Sequence, residues 1–361
     1  MPLPQTTERR RTGGARALVD RLSAEGRLPL DDLETLIATA TDADREYARE
    51  AAVAVAHEHF GNRVFVRGLI EFSNHCRQDC LYCGIRKSNR ETERYRLDAE
   101  QILACCAAGY ALGYRTFVLQ SGEDSRYTTP VLTDVVRRIR AAYPDCAITL
   151  SIGERGPDAY RAIFEAGADR FLLRHETADA DHYARLHPAG QTLATRMACL
   201  RTLKEIGFQT GAGFMVGSPF QTPRNLAQDL AFLGELRPHM VGVGPFLPQH
   251  STPFRDQPPG DVDLTLFLLS LIRLMLPTVL LPSTTALGTA RSGGREAGIL
   301  AGANVIMLNL SPTDLRPKYL LYDDKPVSGD IAEMTEAARA SFARIGYELV
   351  VDRGDHPEVA R

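Results

Sequence analysis

The sequence lacks both an excess of positive charge and a long apolar segment. Its net charge is −3, which does not fit the basic surfaces that bind nucleic acid or anionic membranes. No run of about 18 apolar residues is present, which argues against a membrane-spanning helix. The N-terminus is positively charged but has no apolar segment of the kind found in secretory signals, since it reads MPLPQTTERRRTGG. We therefore expect a cytoplasmic protein whose partners include neither nucleic acid nor a membrane.

Cysteine is sparse, and its distribution does not suggest a disulfide framework. Seven cysteines occur in 361 residues, and three of them fall within eight positions. Small secreted domains use denser, paired cysteines, so a reducing compartment and a metal site fit better. The other four lie in apolar surroundings, where cysteine commonly acts as a small hydrophobic residue. We expect these four to be structural; they are Cys105, Cys106, Cys146 and Cys199.

The chain also lacks internal repeats and low-complexity linkers that would mark a domain boundary. Residues 15–60 contain two or three helical stretches, so we expect an N-terminal helical extension over 1–60 that caps the closed end of a barrel. Residues 61–346 form the main domain in this interpretation, ending in a closing helix over 329–346. Residues 347–361 form a C-terminal tail, whose last ten residues we expect to be frayed.

Short apolar runs rich in β-branched residues alternate with amphipathic stretches, a pattern typical of parallel βαβ units. Eight such runs predict an α/β fold, a full (β/α)8 barrel of the TIM type, although an open doubly wound sheet carries the same pattern. The runs are Val64 to Ser73, Thr116 to Glu123, Ala147 to Gly153, Arg170 to Glu176, Thr210 to Gly217, Met240 to Phe246, Val279 to Thr285 and Asn304 to Leu310.

Polar residues stand at the end of almost every run. Taken singly, each is best explained as a turn residue. Taken together, they favour one shared polar site, because the C-terminal ends of barrel strands form the mouth of the active site. The polar ends are Glu71 and Ser73, Gln120 to Asp124, Ser151 to Glu154, Arg174 to Thr177, and Thr284 with Thr285.

The remaining cysteines form a Cys-x-x-x-Cys-x-x-Cys motif directly after the first predicted strand. Cys76, Cys80 and Cys83 supply three thiolates from one loop, and cysteine thiolates are the usual ligands of iron-sulfur clusters. A complete set would be four, so three leave one iron open, as catalytic metals keep an open position. Zinc, with His75 as a further ligand, is the alternative, but zinc sites usually pair two Cys-x-x-Cys units. A ferredoxin-type centre would need four thiolates.

This motif, with its aromatic neighbour Tyr82, resembles the radical S-adenosylmethionine (SAM) superfamily. The similarity extends over roughly residues 67–322 to the HydE family of FeFe-hydrogenase maturases, which is related to methylornithine synthase and biotin synthase. The blocks that carry it are RGLIEFSNHCRQDCLYCGIRKSN, ERYRL, LQSGED, LSIGE, ADRFLLRHETAD, GAGFMVGSP, GVGPFLP, PSTTALGT and GANVIM. The resemblance implies a full barrel, one 4Fe-4S cluster and bound SAM.

The resemblance also implies a reaction. Reductive cleavage of SAM gives a 5′-deoxyadenosyl radical, which in the family reacts with a cysteine-bound iron carbonyl cyanide complex during assembly of the hydrogenase active site. The implied partners are this small-molecule iron complex, the maturases HydG and HydF, and an electron donor.

Individual roles follow only from matching positions in the family. Glu176 and Arg196 match positions around the amino-acid part of SAM, where a carboxylate and a guanidinium complement its ammonium and carboxylate. Without the family, Arg196 would be assigned to a solvated helix face. The other implied cofactor residues are Tyr82, Gln120, Ser151 and Met215, the implied catalytic or substrate residues are Arg174, Thr284, Thr285 and Tyr319, and Arg67, Met307 and Tyr322 match further cavity-lining positions.

One departure and two alternatives remain. Some family members bind a second cluster through cysteines near the C-terminus, but no cysteine follows Cys199 here, which excludes such a site. An amino-acid mutase like methylornithine synthase would share the barrel and the cluster. A scaffold or electron carrier would keep the cluster without cleaving SAM.

Overall fold

The computed structural model describes residues 14–359, so most of the charged N-terminal segment and the last two residues lie outside the described part. Three helices precede the first strand: α1 (Ala15–Glu25), α2 (Leu30–Thr39) and α3 (Asp42–Phe60). Helix α3 begins at a capping box, in which Thr41 accepts the Asp44 N–H and the Asp44 carboxylate accepts the Thr41 N–H. No helix among the described residues is long and apolar enough to cross a membrane.

The remaining elements alternate strands with helices, as the apolar runs predicted. The strands are β1 (Arg63–Ser73), β2 (Thr116–Ser121), β3 (Ala147–Ser151), β4 (Arg170–Leu172), β5 (Gln209–Ala212), β6 (Met215–Val216), β7 (Met240–Val241), β8 (Gly244–Pro245), β9 (Val305–Asn309) and β10 (Glu348–Val350). The helices are α4 (Ala99–Ala111), α5 (Thr129–Ala142), α6 (Pro157–Glu165), α7 (Ala180–Leu186), α8 (Leu193–Ile206), α9 (Pro223–Leu236), α10 (Val262–Met275), α11 (Thr285–Ala290), α12 (Gly294–Ile299) and α13 (Ile331–Arg344).

All regular pairings in the sheet are parallel. They run in the order β1, β2, β3, β4, β5 and β7, while β9 and β10 pair with the other side of β1. Within residues 14–359, two single bridges link β7 to β9, Met240 to Leu280 and Pro282 to Val305. The predicted run from Val279 to Thr285 is therefore not a regular strand. The α/β class and a curled parallel sheet are confirmed.

The predicted fifth run is split into β5 and β6 by a close approach of two backbones. Gly213 has a φ of 153°, and a Cβ there would lie 2.0 Å from the carbonyl oxygen of Gly242. Only glycine fits at this position. The short pair β6 and β8 then continues toward the mouth of the sheet as a separate unit.

The three N-terminal helices pack on the outer helices. Phe60, the last residue of α3, covers the lower end of the sheet, where the strands begin. Helix α3 contacts α10, and α2 contacts α9. Phe60 packs with Phe65, Met240, Leu280 and Val305, which lie near the N-terminal ends of their strands. The predicted extension therefore covers the end opposite the polar strand ends.

The expectation of a frayed tail is wrong for the described residues up to 359. After α13, strand β10 pairs with β1, and Asp355 then accepts hydrogen bonds from Arg170 Nη2 at 2.7 Å and Gln209 Nε2 at 2.8 Å. Arg353 reaches Asp169 at 2.9 Å. Arg170 is fully buried and needs a counter-charge, which only a distant segment of the chain supplies. The tail thus seals the lower end of the barrel interior.

We expect Asp355→Ala to destabilise the protein by about 3 kcal/mol, because it leaves the buried Arg170 guanidinium without its carboxylate. Urea unfolding of the variant and the parent measures this difference. The control is Glu336→Ala, which removes an exposed pair with Arg339 and should cost less than about 1 kcal/mol. Equal losses in the two variants would show that the tail contact is no more important than a surface pair.

Candidate active site

A cavity of about 360 Å³ lies at the C-terminal ends of the strands, where the polar residues gather. It brings together every residue named above as a cofactor, catalytic or metal residue. These are Cys76, Tyr82, Cys80, Cys83, Gln120, Ser151, Arg174, Glu176, Arg196, Met215, Thr284, Thr285 and Tyr319, with Met307 and Tyr322 also in the lining. These side chains therefore face one space at the edge of the sheet where the sequence predicts a shared site.

Arg67 is the exception among the family-implied lining positions. It points into the barrel below the cavity, with Nη1 3.1 Å from the Met240 sulfur. Burial lowers its pKa well below the ordinary value, and the nearby Arg170 adds to this effect. Because side chains alternate along β1, Arg67 shares a face with Leu69 and Glu71 but lies deeper than either.

The cysteine loop follows β1 and is irregular, so its backbone carbonyls need donors other than a sheet ladder. Arg94 supplies them: its Nη1 donates to the carbonyls of Asn74 and Ile85, and its Nη2 donates to those of Arg86 and Asn89. One guanidinium therefore ties both ends of the loop together. The sequence analysis did not single out Arg94, although it lies in the ERYRL block.

Glu123 fastens the same loop to the ends of β2 and β3. Its Oε2 accepts from Arg77 Nε at 2.9 Å and Gln78 Nε2 at 2.8 Å, and its Oε1 accepts the Glu154 N–H at 2.9 Å. Gly153 leaves room for this carboxylate, since a Cβ there would lie 2.1 Å from Glu123 Cγ. The polar end of the second run was the signal in the sequence for Glu123.

The three thiols of the cysteine loop have raised pKa values, mainly because they are buried. Burial raises the pKa of Cys76, and burial together with the neighbouring Cys76 raises the pKa of Cys80 to about 12. The pKa of Cys83 is also raised, by burial and by the other two thiols. Three such thiols need adjacent positive charge to ionise, and iron supplies it. The donor set therefore fits an iron-sulfur cluster.

The segment after α7 packs against the cysteine loop. The Leu81 N–H donates to the carbonyl of Leu186, and the Tyr82 hydroxyl lies 3.1 Å from His187 Nε2. His187 Nδ1 donates to the Tyr183 carbonyl, so Nε2 accepts from Tyr82; burial lowers the pKa of this imidazole to about 3 and keeps it neutral. Gln191 adds a contact of 3.6 Å between its Oε1 and Cys80 Sγ. The sequence analysis missed both His187 and Gln191.

Glu176, Arg174 and Arg196 form the charged wall of the cavity. Arg196 is buried and donates to Glu154 Oε1 at 2.6 Å and to the Arg174 carbonyl at 2.9 Å, so a solvated position is wrong. Burial opposes its charge, but Tyr183 and Glu154 raise its pKa. Arg174 Nη2 lies 3.0 Å from Glu176 Oε2, which makes the two an ion pair. The geometry is not that of a hydrogen bond, and neither atom has a hydrogen-bond partner among the described residues. This wall can bind a ligand that carries both an ammonium and a carboxylate.

The opposite wall is polar but mostly neutral. The Tyr319 hydroxyl accepts from Gln120 Nε2 at 3.4 Å, and Thr284 Oγ1 has no partner among the described residues. Lys325 forms a buried ion pair with Glu71, whose other oxygen accepts from Asn309 at 2.8 Å. Lys325 lies in a loop with no motif, so no pattern in the sequence pointed to it.

An apolar patch lines a third side. Met215 packs with Leu186, Phe246 and Phe254, and Tyr82 lies against the same cluster. Ser151, at the end of β3, also lines the cavity. It lies between Gln120 on β2 and the charged wall formed by Arg174, Glu176 and Arg196.

Comparisons with known proteins agree on one superfamily. The radical SAM superfamily matches residues 70–233. The HydE subunit of FeFe-hydrogenase maturase from Thermotoga maritima is 45% identical over 271 residues, 75% of this chain and 77% of that protein. A 3-methylornithine synthase from Methanosarcina barkeri is 30% identical over 301 residues, 82% of this chain and 83% of that one. The crystal structure of methylornithine synthase is similar with a TM-score of 0.80 at 27% identity, covering 92% of this chain and 97% of the other.

We expect Arg94→Lys to loosen the cysteine loop, since an ammonium cannot reach four carbonyls in two directions. Hydrogen–deuterium exchange of peptides covering residues 74–89 should be faster in the variant by about tenfold. The matched control is Arg90→Lys, at an exposed position directly after the loop. This variant should leave the hydrogen–deuterium exchange of the same peptides unchanged. Unchanged exchange in Arg94→Lys would mean that other contacts hold the loop.

Proposed function

Because the chain belongs to the HydE family of the radical SAM superfamily, and is therefore a radical SAM enzyme, we propose that it acts in maturation of FeFe-hydrogenase. The observation that carries this proposal is the 45% identity to the HydE subunit along three quarters of the chain. The cavity supports it, because a three-thiol loop, a charged wall and a polar wall face one space. Superfamily membership also favours a 4Fe-4S cluster over the zinc alternative.

In this proposal Cys76, Cys80 and Cys83 hold one 4Fe-4S cluster and leave one iron open for SAM. When bound, the cluster and SAM supply a 5′-deoxyadenosyl radical by one-electron reductive cleavage of the sulfonium. The protein contributes binding, orientation and exclusion of water. The contacts of Arg94 and Glu123 support this role of the protein, because they hold the loop that carries the three cysteines in place.

The charged wall orients the amino-acid part of SAM. We assign Glu176 to its ammonium and Arg196 to its carboxylate. Two features support this: Glu176 Oε2 has no hydrogen-bond partner among the described residues, although Arg174 Nη2 lies 3.0 Å away, and the Arg196 guanidinium is fixed by Glu154. Gln120 and Ser151 offer hydrogen bonds beside it, while Met215 and Tyr82 offer apolar surface for the rest of the cofactor.

The substrate lies, in this proposal, between Arg174 and the polar wall. A cysteine-bound iron carbonyl cyanide complex carries a carboxylate and cyanide nitrogens, which accept hydrogen bonds. Arg174 Nε, Thr284 Oγ1 and the Thr285 and Tyr319 hydroxyls can donate them, and the first two lack partners among the described residues. We infer that HydG and HydF deliver the complex and receive the product, and that a separate electron donor reduces the cluster.

A second candidate is an amino-acid mutase like methylornithine synthase. It is favoured by the 30% identity to that enzyme and by the TM-score of 0.80. Incubation of the reconstituted protein with lysine, SAM and reductant separates the two, because formation of methylornithine would remove the maturase proposal. A pure scaffold or electron carrier would release no 5′-deoxyadenosine under the same conditions.

We further infer that the sheet closes as a full (β/α)8 barrel over residues 61–346, with 1–60 as an extension and 347–361 as a tail. Two single bridges support closure, one from Leu280 to Met240 of β7 and one from Pro282 to Val305 of β9, because together they link these two strands. The free cysteines among the described residues support a reducing, cytoplasmic setting.

The reconstituted protein should support assembly of active hydrogenase when combined with HydG, HydF and the unmatured enzyme. Cys80→Ala should abolish this activity and lower the iron content, because two thiolates cannot hold the cluster stably. Cys106→Ala removes a buried thiol on α4, away from the cavity, and should keep both. Hydrogen evolution and iron content are measured on all three proteins. Failure of the parent protein at full iron content would overturn the proposed function.

The double variant Thr284→Ala, Thr285→Ala should lower maturation about tenfold while iron content stays at the parent level, because it removes two donors from the substrate wall. The matched control is Thr35→Ala with Thr39→Ala on α2, two hydroxyls that bond only their own helix. Maturation rate per iron is the measurement. If the two double variants mature hydrogenase equally well, the threonines are not in the substrate site.

A further inference from the structure

A buried carboxylate outside the cavity contacts the segment that carries Glu176. Asp229 lies on α9, on the outer layer of the fold, and is fully buried. Its Oδ1 accepts the Ala178 N–H at 2.5 Å and lies 3.3 Å from His175 Nε2. These two contacts fall on either side of Glu176, one residue before it and two residues after it.

Glu176 itself has an unfavourable backbone conformation. Its φ is 66°, in the left-handed region that non-glycine residues rarely adopt. Its N–H donates to the Gly213 carbonyl at 3.0 Å, and the Gly213 N–H donates in return to His175 Nδ1 at 3.3 Å. Such a conformation persists only where the surroundings fix it, and it is found at ligand sites.

The hydrogen bond from Gly213 also orients His175. Because Nδ1 accepts, the proton of the neutral imidazole is on Nε2, which faces Asp229. Burial lowers the pKa of His175 to about 3, so this ring is neutral. Phe214 and Phe232 pack around it, with ring centroids 5.8 and 4.9 Å away. His175, the residue before Glu176, is therefore held rigidly between Asp229 and the Gly213 N–H.

Stability alone does not explain an aspartate here. Its Oδ2 has no partner among the described residues, and no Lys or Arg pairs with it in that part of the chain. Burial raises its pKa well above the usual range. A buried carboxyl with one unused oxygen costs free energy that an apolar side chain on α9 would avoid. The contacts that compensate are those to the two flanks of Glu176.

We propose that Asp229 is a positioning residue that, through His175 and the Ala178 N–H, holds Glu176 in its left-handed conformation for the ammonium group of SAM. This inference rests on the proposed role of Glu176. Asp229 does not touch the cavity, so its effect passes entirely through the backbone of residues 175–178. The position of Glu176 in the charged wall therefore depends on a residue of the outer helix α9.

The test compares Asp229→Leu, which removes both acceptors at similar size, with Asp229→Asn, which keeps Oδ1 as an acceptor and resembles the neutral acid. The dissociation constant of SAM is measured by equilibrium dialysis on the cluster-loaded protein. We expect Asp229→Leu to raise it about tenfold, and Asp229→Asn to stay within about twofold of the parent. The yield of 5′-deoxyadenosine at saturating SAM should change little in either variant, which separates binding from turnover.

Glu176→Ala distinguishes failure of this inference from failure of the proposed role of Glu176. If Glu176→Ala binds SAM like the parent, the role of Glu176 is wrong. If it weakens binding, Asp229→Leu added to Glu176→Ala should raise the dissociation constant less than about twofold further, because both changes remove the same contact. Full additivity, or unchanged SAM binding in Asp229→Leu alone, would overturn the inference.

Arg273→Met supplies the control for general loss of stability. Arg273 is a fully buried residue on α10 that donates to the carbonyls of Gly302 and Pro277, away from the charged wall. We expect it to lower the thermal midpoint at least as much as Asp229→Leu while leaving the SAM dissociation constant unchanged. A similar loss of SAM affinity in Arg273→Met would show that Asp229 acts only through stability.

Discussion

The guanidinium of Arg94 is the contact on which the arrangement of the three thiols depends. The loop from Asn74 to Asn89 has almost no regular structure, yet several of its residues are buried, among them Asn74, Ile85 and Asn89. A buried carbonyl without a donor costs about as much as a lost hydrogen bond, so a loop of this length is ordered only where donors are supplied. Arg94 supplies four, and Glu123 adds acceptors on the outer side. The position of Cys80 and Cys83 follows from these fixed ends.

The two ends of the barrel interior solve opposite problems. At the lower end, Arg170 meets Asp355 and Arg353 meets Asp169, so these charges are paired through hydrogen bonds. At the upper end, Arg174, Glu176 and Thr284 keep atoms without hydrogen-bond partners among the described residues, and Glu176 adopts a left-handed backbone. Unpaired polar groups and backbone strain are unfavourable by themselves, so the paired lower end and the apolar core must offset them. This asymmetry matches the rule that barrel function lies at the C-terminal ends of the strands.

Much of this fold and most of the cavity could be predicted from the sequence. Short apolar runs rich in β-branched residues predicted seven of the eight expected strands. The polar residues at the strand ends predicted the position of the cavity, because the C-terminal ends of parallel strands meet at one edge. The run from Val279 to Thr285 failed as a regular strand, since Pro282 has no N–H for a ladder. The tail was misjudged because chain ends are usually frayed, whereas Asp355 is paired with an arginine 185 residues earlier in the chain. Local pattern contains no information about such a pairing.

The same limit explains which site residues were found and which were missed. Cys76 and Glu176 follow strands, and their spacing or position marks them. The missed residues lack such a mark. Three of them lie outside regular elements, namely His187, Gln191 and Lys325, and Asp229 lies on α9, whose amphipathic pattern does not differ from that of the other outer helices. Asp229 nevertheless contacts both flanks of Glu176, so the conformation of a cavity residue is set from the layer behind it. A glutamate with φ near 66° is disfavoured in isolation, and the sequence RHETAD contains no glycine that would announce the turn. The contacts of α9 with both flanks of Glu176 therefore offset the unfavourable backbone conformation of a residue that faces the cavity.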